Sequence, residues 1–254
     1  MYRGEEPIEG AAAAIERLRS EGVRVVFCTN NSAPTVAQYR DVLARMGVST
    51  GPEDIVTSAV VAGEALAGRG LTGRRAMVMG GPGLRQSVTE AGLVIDDDLH
   101  VTEVDVVAVG LDTSFGYPAL RRAALALRGG AHFLATNDDA TYPAPGGEEW
   151  PGAGAILAAV EAASGRRAEV MGKPNPPMMD AVARRLDGAR SIAIVGDRPH
   201  TDLRGGAAKG WTTILVTTGV TPADRASAVE PKPDVVLSSI AELGRRGLPG
   251  RPVA

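Results

Sequence analysis

The chain has 254 residues, 44% of them hydrophobic and 22% charged, which excludes global disorder and a fibrous fold and leaves room for a sizeable core. A formal net charge of -3 argues against a general polyanion binder, so no nucleic-acid partner is expected, and the single cysteine excludes an intrachain disulfide or a multi-cysteine zinc cluster. No apolar run approaches the roughly 20 residues of a membrane helix, and the first ten residues lack the apolar stretch of a signal peptide; a soluble, cytoplasmic protein is expected.

Strand-length apolar runs alternate with amphipathic stretches along the chain. Residues 11–20 read as a helix and 23–28 as a strand, followed by the polar turn Thr29-Asn30-Asn31-Ser32. Thr35 and Gln38 are spaced as a capping box, opening a helix that runs to about Met46. The Gly-rich stretch 67–73 reads as a linker. Residues 76–79 form a short strand, and Gly80-Gly81-Pro82-Gly83 turns into another helix. Strands over 104–111 and 131–135 flank a helix over 119–127. Residues 191–195 form the clearest buried strand and run directly into Gly196-Asp197; further strands are expected at 213–216 and 235–237. The tail 244–254 is rich in Arg, Gly and Pro and is expected to fray.

Strands alternating with helices predict a mainly parallel sheet covered on both faces. In such sheets chemistry collects beyond the carboxyl ends of the strands. Those ends are Thr29-Asn30-Asn31, Asn137-Asp138-Asp139, Gly196-Asp197 and Thr217-Thr218-Gly219, all polar or Gly-rich. A hydroxyl and backbone amides at the first can hold phosphate oxygens, although an Asn-rich turn is also an ordinary structural device. Gly172-Lys173-Pro174 places a Lys on a restricted backbone. The chain has 27 basic residues, of which only Lys173, Lys209 and Lys232 are Lys, so a compact ammonium here stands out against Arg. Asp197, at a strand end, has the character of a Mg²⁺ ligand; Asp202 is either part of the same site or a helix cap.

These three elements, in this order, resemble the haloacid dehalogenase superfamily, and most of all its NagD-like, p-nitrophenyl-phosphatase-like branch. The likeness extends to Tyr2-Arg3-Gly4, to Val109-Gly110-Leu111-Asp112 with Phe115 and Tyr117, to Ala135-Thr136-Asn137-Asp138-Asp139, to Pro151-Gly152-Ala153-Gly154 and to Thr217-Thr218-Gly219-Val220. The resemblance implies an α/β fold: a Rossmann-like core of residues 1–73 and 171–254, with an inserted α/β cap over 74–170. It implies a Mg²⁺-dependent phosphatase acting on a small phosphorylated metabolite through an aspartyl-phosphate, with a homodimer through the cap as a further possibility. By the same implication Thr29, Asn30 and Asn31 bind phosphoryl oxygens, with Asn137 and Asp139 also at the substrate. Lys173 offsets charge, Asp197 holds Mg²⁺ and Asp202 supports it. Thr29, Lys173 and Asp202 count as catalytic. All of these groups are expected to surround one phosphate pocket.

One departure matters. The family's nucleophile and general acid lie in an apolar strand ending Asp-x-Asp-Gly, just ahead of the Tyr-Arg-Gly segment. That segment here begins at Tyr2, and no Asp-x-Asp-Gly occurs in the 254 residues. The expectation is that the central first strand is missing, through a late start or a truncation, and that this chain is inactive. A catalytically dead protein that binds phosphorylated ligands is the alternative. Loss of a central strand would cost on the order of 10 kcal/mol, comparable to a whole domain's stability, which favours the first two explanations. Asp96-Asp97-Asp98 reads as a solvated acidic turn rather than a substitute nucleophile. In the loop 140–154, Trp150 either packs beneath the loop or stacks on a leaving group, with Glu148 and Glu149 disfavouring anionic ones. His200 either touches substrate or caps its loop, and Cys28 is expected to be a buried small hydrophobe. A nucleotide-binding dehydrogenase is a weak reading, because no Gly-x-Gly-x-x-Gly follows the first strand.

Overall fold

The computed structural model describes residues 2–3, 6–144 and 148–246. In chain order the elements begin with β1 (Tyr2–Arg3), β2 (Glu6–Pro7), α1 (Ala11–Ser20), β3 (Phe27–Thr29), α2 (Val36–Arg45), β4 (Ile55–Thr57) and α3 (Ser58–Ala67). Next come β5 (Arg75–Met79), α4 (Pro82–Glu90), β6 (Val94–Ile95), β7 (Val106–Val109), α5 (Tyr117–Arg128), β8 (His132–Ala135), β9 (Thr141–Pro143), β10 (Glu149–Pro151) and α6 (Ala153–Ser164). The chain continues with β11 (Glu169–Val170), α7 (Pro176–Arg185), β12 (Ala193–Gly196), α8 (Arg204–Ala208), β13 (Thr212–Val216), β14 (Val235–Leu237) and α9 (Leu243–Arg246). Most of the tail expected to fray lies outside the described residues.

The chain divides into two compact units. One comprises Met1–Phe27, Arg40–Ile55 and Lys173–Ala254; the other comprises Cys28–Tyr39 and Val56–Gly172. Residues 28–39 and 56–73, expected with the core, therefore cluster with the stretch expected to be the cap.

The second unit is built on a five-stranded sheet in the order β11-β8-β7-β5-β6, with every pair parallel. Strand periodicity of two sends Met77, Met79, Val107, Val109, Phe133 and Ala135 to one face. There they pack with Leu127 of α5 and with Ile156, Leu157 and Val160 of α6. Each buried Met, Val, Leu, Ile or Phe side chain among them contributes roughly 1.5–3 kcal/mol. The capping box appears as read: the Thr35 amide donates to Gln38 Oε1 at 2.8 Å and the Gln38 amide to Thr35 Oγ1 at 3.2 Å. β9 and β10 form a separate antiparallel pair, Trp150 opposite Tyr142.

The first unit holds the parallel sheet β12-β13-β14. Ile214, Val216, Leu237 and Leu18 of α1 form its core, with Val25 and Val195 packed against them. Two expectations change here. The clearest buried strand proves half-buried along its whole length, because β12 is an edge strand among the described residues. The Thr212 amide donates to the Ile192 carbonyl at 3.0 Å. Direction alternates along a ladder, so Ala193 and Val195 turn their backbone groups away from β13. The strand expected over 23–28 is assigned only as Phe27–Thr29, paired with β4; Val23 and Val25 pack against the core without joining a ladder. Cys28 is half-buried rather than buried.

Candidate active site

The predicted site residues fall into two groups, each held within one unit. In the first unit, β12 ends at Gly196 and Asp197 follows. The backbone then passes through Arg198 into a π-helical turn, Pro199–Leu203. Lys173 precedes α7, which opens with Pro176 at the position where a missing N–H costs nothing. The Lys173 ammonium donates to Asp202 Oδ1 at 2.7 Å, and the two side chains are only 12% and 8% exposed. Asp202 Oδ2 accepts from the Arg198 amide at 3.1 Å, so both carboxylate oxygens are engaged. A buried ion pair is sound only when such additional hydrogen bonds complete it. Asp202 is not the N-cap of this turn; Arg198 is.

Asp197 is held from the other side. Its Oδ2 accepts from the Val220 amide at 2.7 Å, and its carbonyl accepts from the Thr221 hydroxyl at 2.7 Å. A Cβ on Gly219 would overlap the Asp197 carboxylate, and one on Gly196 would overlap that of Asp202. These two glycines let backbone approach the carboxylates closely. Beside Gly219, Thr218 Oγ1 is buried with no hydrogen-bond partner among the described residues, a polar atom waiting for a partner. One oriented carboxylate with a partnerless hydroxyl nearby suits Mg²⁺, a hard cation that takes one or two carboxylates and completes its shell with waters and phosphate oxygens. No cluster of three or more His, Cys, Asp or Glu that would cage a metal by itself occurs among the described residues. His200 is exposed.

In the second unit the turn after β3 is tied down residue by residue. The Asn31 amide donates to Thr29 Oγ1 at 3.1 Å, and the Ala33 amide to Asn31 Oδ1 at 3.2 Å. These are the short side-chain-to-backbone loops that Thr and Asn form in turns. The Thr29 hydroxyl retains its own O–H to donate. Asn30 is fixed through both its side chain and its backbone. Its Nδ2 donates to Asp139 Oδ2 at 3.0 Å, and its carbonyl accepts from Asn137 Nδ2 at 2.8 Å and from the Ser58 hydroxyl at 2.6 Å. The buried hydroxyls of Ser32 and Thr136 lie 3.0 Å apart and share a hydrogen bond. The Asn30 carboxamide donates to Asp139, which leaves the backbone amides and the Thr29 hydroxyl as the groups read for phosphoryl oxygens. Ser58 and Thr136 were not foreseen, because nothing local in the sequence distinguishes them from ordinary polar turn residues.

Asp96 is not a solvated acid. Its side chain is 9% exposed and pairs with Arg75 and with the fully buried Arg122, whose Nη2 lies 2.9 Å from Asp96 Oδ1. Burial alone would raise the Asp96 carboxyl; the Asp98 amide, the Arg75 hydrogen bond and the charges of Arg122 and Arg75 outweigh it and hold the group below the usual carboxylate range. Trp150 does not pack beneath its loop. It is 46% exposed, its Nε1 donates to Glu148 Oε2 at 2.7 Å, and its ring meets Tyr142 edge-on.

Parallel α/β units, strand ends that carry a carboxylate with an ammonium, and a hydroxyl-amide turn define a class of phosphate-handling hydrolases. Models of two families match the chain: haloacid dehalogenase-like hydrolase over residues 1–94 and HAD-hydrolase-like over residues 170–243. An acid sugar phosphatase from Staphylococcus haemolyticus is 38% identical over 222 residues, 87% of this chain and 82% of that protein. A glycerol phosphate phosphatase from Mycobacterium tuberculosis, solved in complex with magnesium, superimposes with a TM-score of 0.85 at 34% identity, covering 95% of this chain and 72% of that one. A p-nitrophenyl phosphatase from Archaeoglobus fulgidus does so with a TM-score of 0.87 at 27% identity, covering 96% and 95%. The chain belongs to the haloacid dehalogenase-like hydrolases, in their NagD-like, p-nitrophenyl-phosphatase-like branch of Mg²⁺-using phosphoric monoester hydrolases. No helix among the described residues is long and apolar enough to cross a membrane.

Proposed function

We propose that this chain carries the phosphoryl-binding and metal-binding parts of a phosphatase for small phosphomonoesters, working through an aspartyl-phosphate. The observation that carries the reading is the Lys173–Asp202 pair at 2.7 Å, which fixes an ammonium next to the strand-end turn that presents Asp197. A phosphoryl group in transfer spreads negative charge over its oxygens, so positioned cations and donors supply most of the stabilisation. In this reading Lys173 offsets that charge, and the Thr29 hydroxyl and the amides of the turn to Asn31 donate to phosphoryl oxygens. Asp197, through the oxygen not engaged by Val220, holds Mg²⁺, which when bound neutralises charge on the phosphoryl oxygens. Half-exposed Trp150 is offered to the leaving group, with Glu148 and Glu149 beside it disfavouring anionic ones. A homodimer through residues 74–170 belongs to the same reading and is checked by sedimentation velocity.

The aspartyl-phosphate route needs an attacking aspartate, and the 254 residues contain no Asp-x-Asp-Gly. The test compares p-nitrophenyl phosphate hydrolysis with Mg²⁺ by this chain and by a version preceded by an apolar strand ending Asp-x-Asp-Gly. The reading expects turnover only from the longer version. Phosphate binding without turnover in both would favour a ligand-binding protein instead.

A further inference from the structure

Asp139 sits at the end of β8, where the resemblance alone would put it among the groups that touch substrate. Its hydrogen bonds describe another task. Its own amide donates to Asn137 Oδ1 at 3.2 Å, closing a short turn, and its Oδ2 receives the Asn30 carboxamide at 3.0 Å. The Asn137 carboxamide, 5% exposed as a residue, reaches back to the Asn30 carbonyl at 2.8 Å. Ser32, two residues after Asn30, and Thr136, one residue before Asn137, make a second bridge at 3.0 Å. The turn after β3 and the turn after β8 are therefore stitched side chain to backbone, side chain to side chain, in both directions. The next segment is anchored too: the Gly83 amide at the start of α4 donates to the Ala33 carbonyl at 2.8 Å.

The hairpin β9-β10 grows from the same place. The Gly152 amide donates to the Ala140 carbonyl at 2.8 Å and the Gly154 amide to the Asp139 carbonyl at 2.9 Å. Asp139 thus lies at the root of the hairpin that carries Trp150 and at the same time fixes Asn30 between Thr29 and Asn31.

We propose that Asp139 is a positioning residue: by accepting the Asn30 carboxamide it holds the backbone of the Thr29-Asn30-Asn31 turn in the shape that receives a phosphoryl group, and it does not itself bind substrate. The proposal rests on the phosphate reading of that turn. The chemistry sharpens it. A carboxylate facing an anionic substrate would repel it, whereas this one accepts a charge-assisted hydrogen bond from a neutral carboxamide, a task that fixes the neighbouring turn. What the task requires is an acceptor, not a charge, so Asn at this position should serve nearly as well.

The experiment uses the whole chain and inorganic phosphate as the probe, with binding followed by calorimetry and side-chain amide exchange by NMR. Asp139→Ala should weaken phosphate binding about tenfold or more, as expected for loss of a hydrogen bond to a charged group. It should also speed exchange of the Asn30 carboxamide protons. Asp139→Asn should stay within about threefold of the parent on the same energetic scale. Asn30→Asp should lose binding, because two carboxylates then face each other, and the double variant Asn30→Asp/Asp139→Asn should recover most of it, since acceptor and donor are exchanged. A merely structural role would not respond to that exchange. The proposal fails if Asp139→Asn is as damaged as Asp139→Ala, if Asp139→Ala binds as the parent does, or if the exchanged pair recovers nothing. If the parent itself binds no phosphate, the phosphate reading and this use of Asp139 fail together; accelerated carboxamide exchange in Asp139→Ala then shows that only the hydrogen bond was read correctly, which separates the two failures.

Discussion

Lys173 and Asp202, 29 residues apart in sequence, meet at 2.7 Å as a nearly buried ion pair. Asp202 also accepts the Arg198 amide, so one carboxylate fixes both the ammonium and the turn that follows Asp197. Replacing Lys173 by Ala removes the cation and leaves Asp202 buried without its counter-charge. In the version that carries an N-terminal Asp-x-Asp-Gly strand, Lys173→Ala should lower kcat about 10²–10³-fold, the scale of losing one preorganised charge-stabilising group. Melting should fall as well, by up to about 3 kcal/mol in a denaturant titration.

Gly219 permits the close approach of backbone to the Asp197 carboxylate. Gly219→Ala forces that carboxylate to move. The expected result is a rise of about tenfold in the Mg²⁺ concentration needed for half-maximal activity of the same longer version, equivalent to about 1.4 kcal/mol. Circular dichroism should show the fold retained. Unchanged Mg²⁺ dependence would remove Asp197 from the metal site.

The Asp96 carboxyl is held below its ordinary value, near 3.9, by the Asp98 amide and the Arg75 and Arg122 guanidiniums against the opposing effect of burial. Its folded pKa lies below its unfolded one. The stabilisation is therefore fully present above the unfolded value and is lost as pH falls through the depressed folded value. Asp96→Asn should be less stable at pH 7, and its deficit relative to the parent should narrow as the solution is acidified below about pH 4. Equilibrium unfolding from pH 7 down to pH 3 checks this; a deficit that grows on acidification contradicts it.

Thr35 and Gln38 exchange hydrogen bonds at the start of α2. Thr35→Ala should cost about 1 kcal/mol, measured by urea titration, with Thr35→Ser recovering most of it.

Much of this architecture is legible from local pattern. The capping box is visible because its two residues lie three apart. The parallel sheet is visible because apolar runs end in polar or Gly-rich turns. The Gly196-Asp197 junction is visible because a carboxylate following an apolar strand is costly without a task. What escapes local pattern is decided by distant partners. Asp96 reads as a solvated acid until Arg122, 26 residues on, arrives fully buried beside it. The partner of the Asn30 carboxamide, Asp139, lies 109 residues on, and no local pattern points to it. The apolar sequence of β12 reads as a buried strand, yet it borders its sheet with one neighbour among the described residues. For Trp150 the sequence leaves packing beneath the loop and stacking on a leaving group both open; its place on a two-stranded hairpin leaves it half in solvent.

The central claim is that Lys173 and Asp197 serve a phosphoryl group together with Mg²⁺, and calorimetric titration of the chain with inorganic phosphate, in the presence and absence of Mg²⁺, tests it without requiring catalysis. Mg²⁺ should tighten phosphate binding in the parent about tenfold, Asp197→Asn should abolish this gain, and Lys173→Ala should weaken binding under both conditions. Phosphate affinity that ignores Mg²⁺, or that is the same in all three proteins, would contradict it.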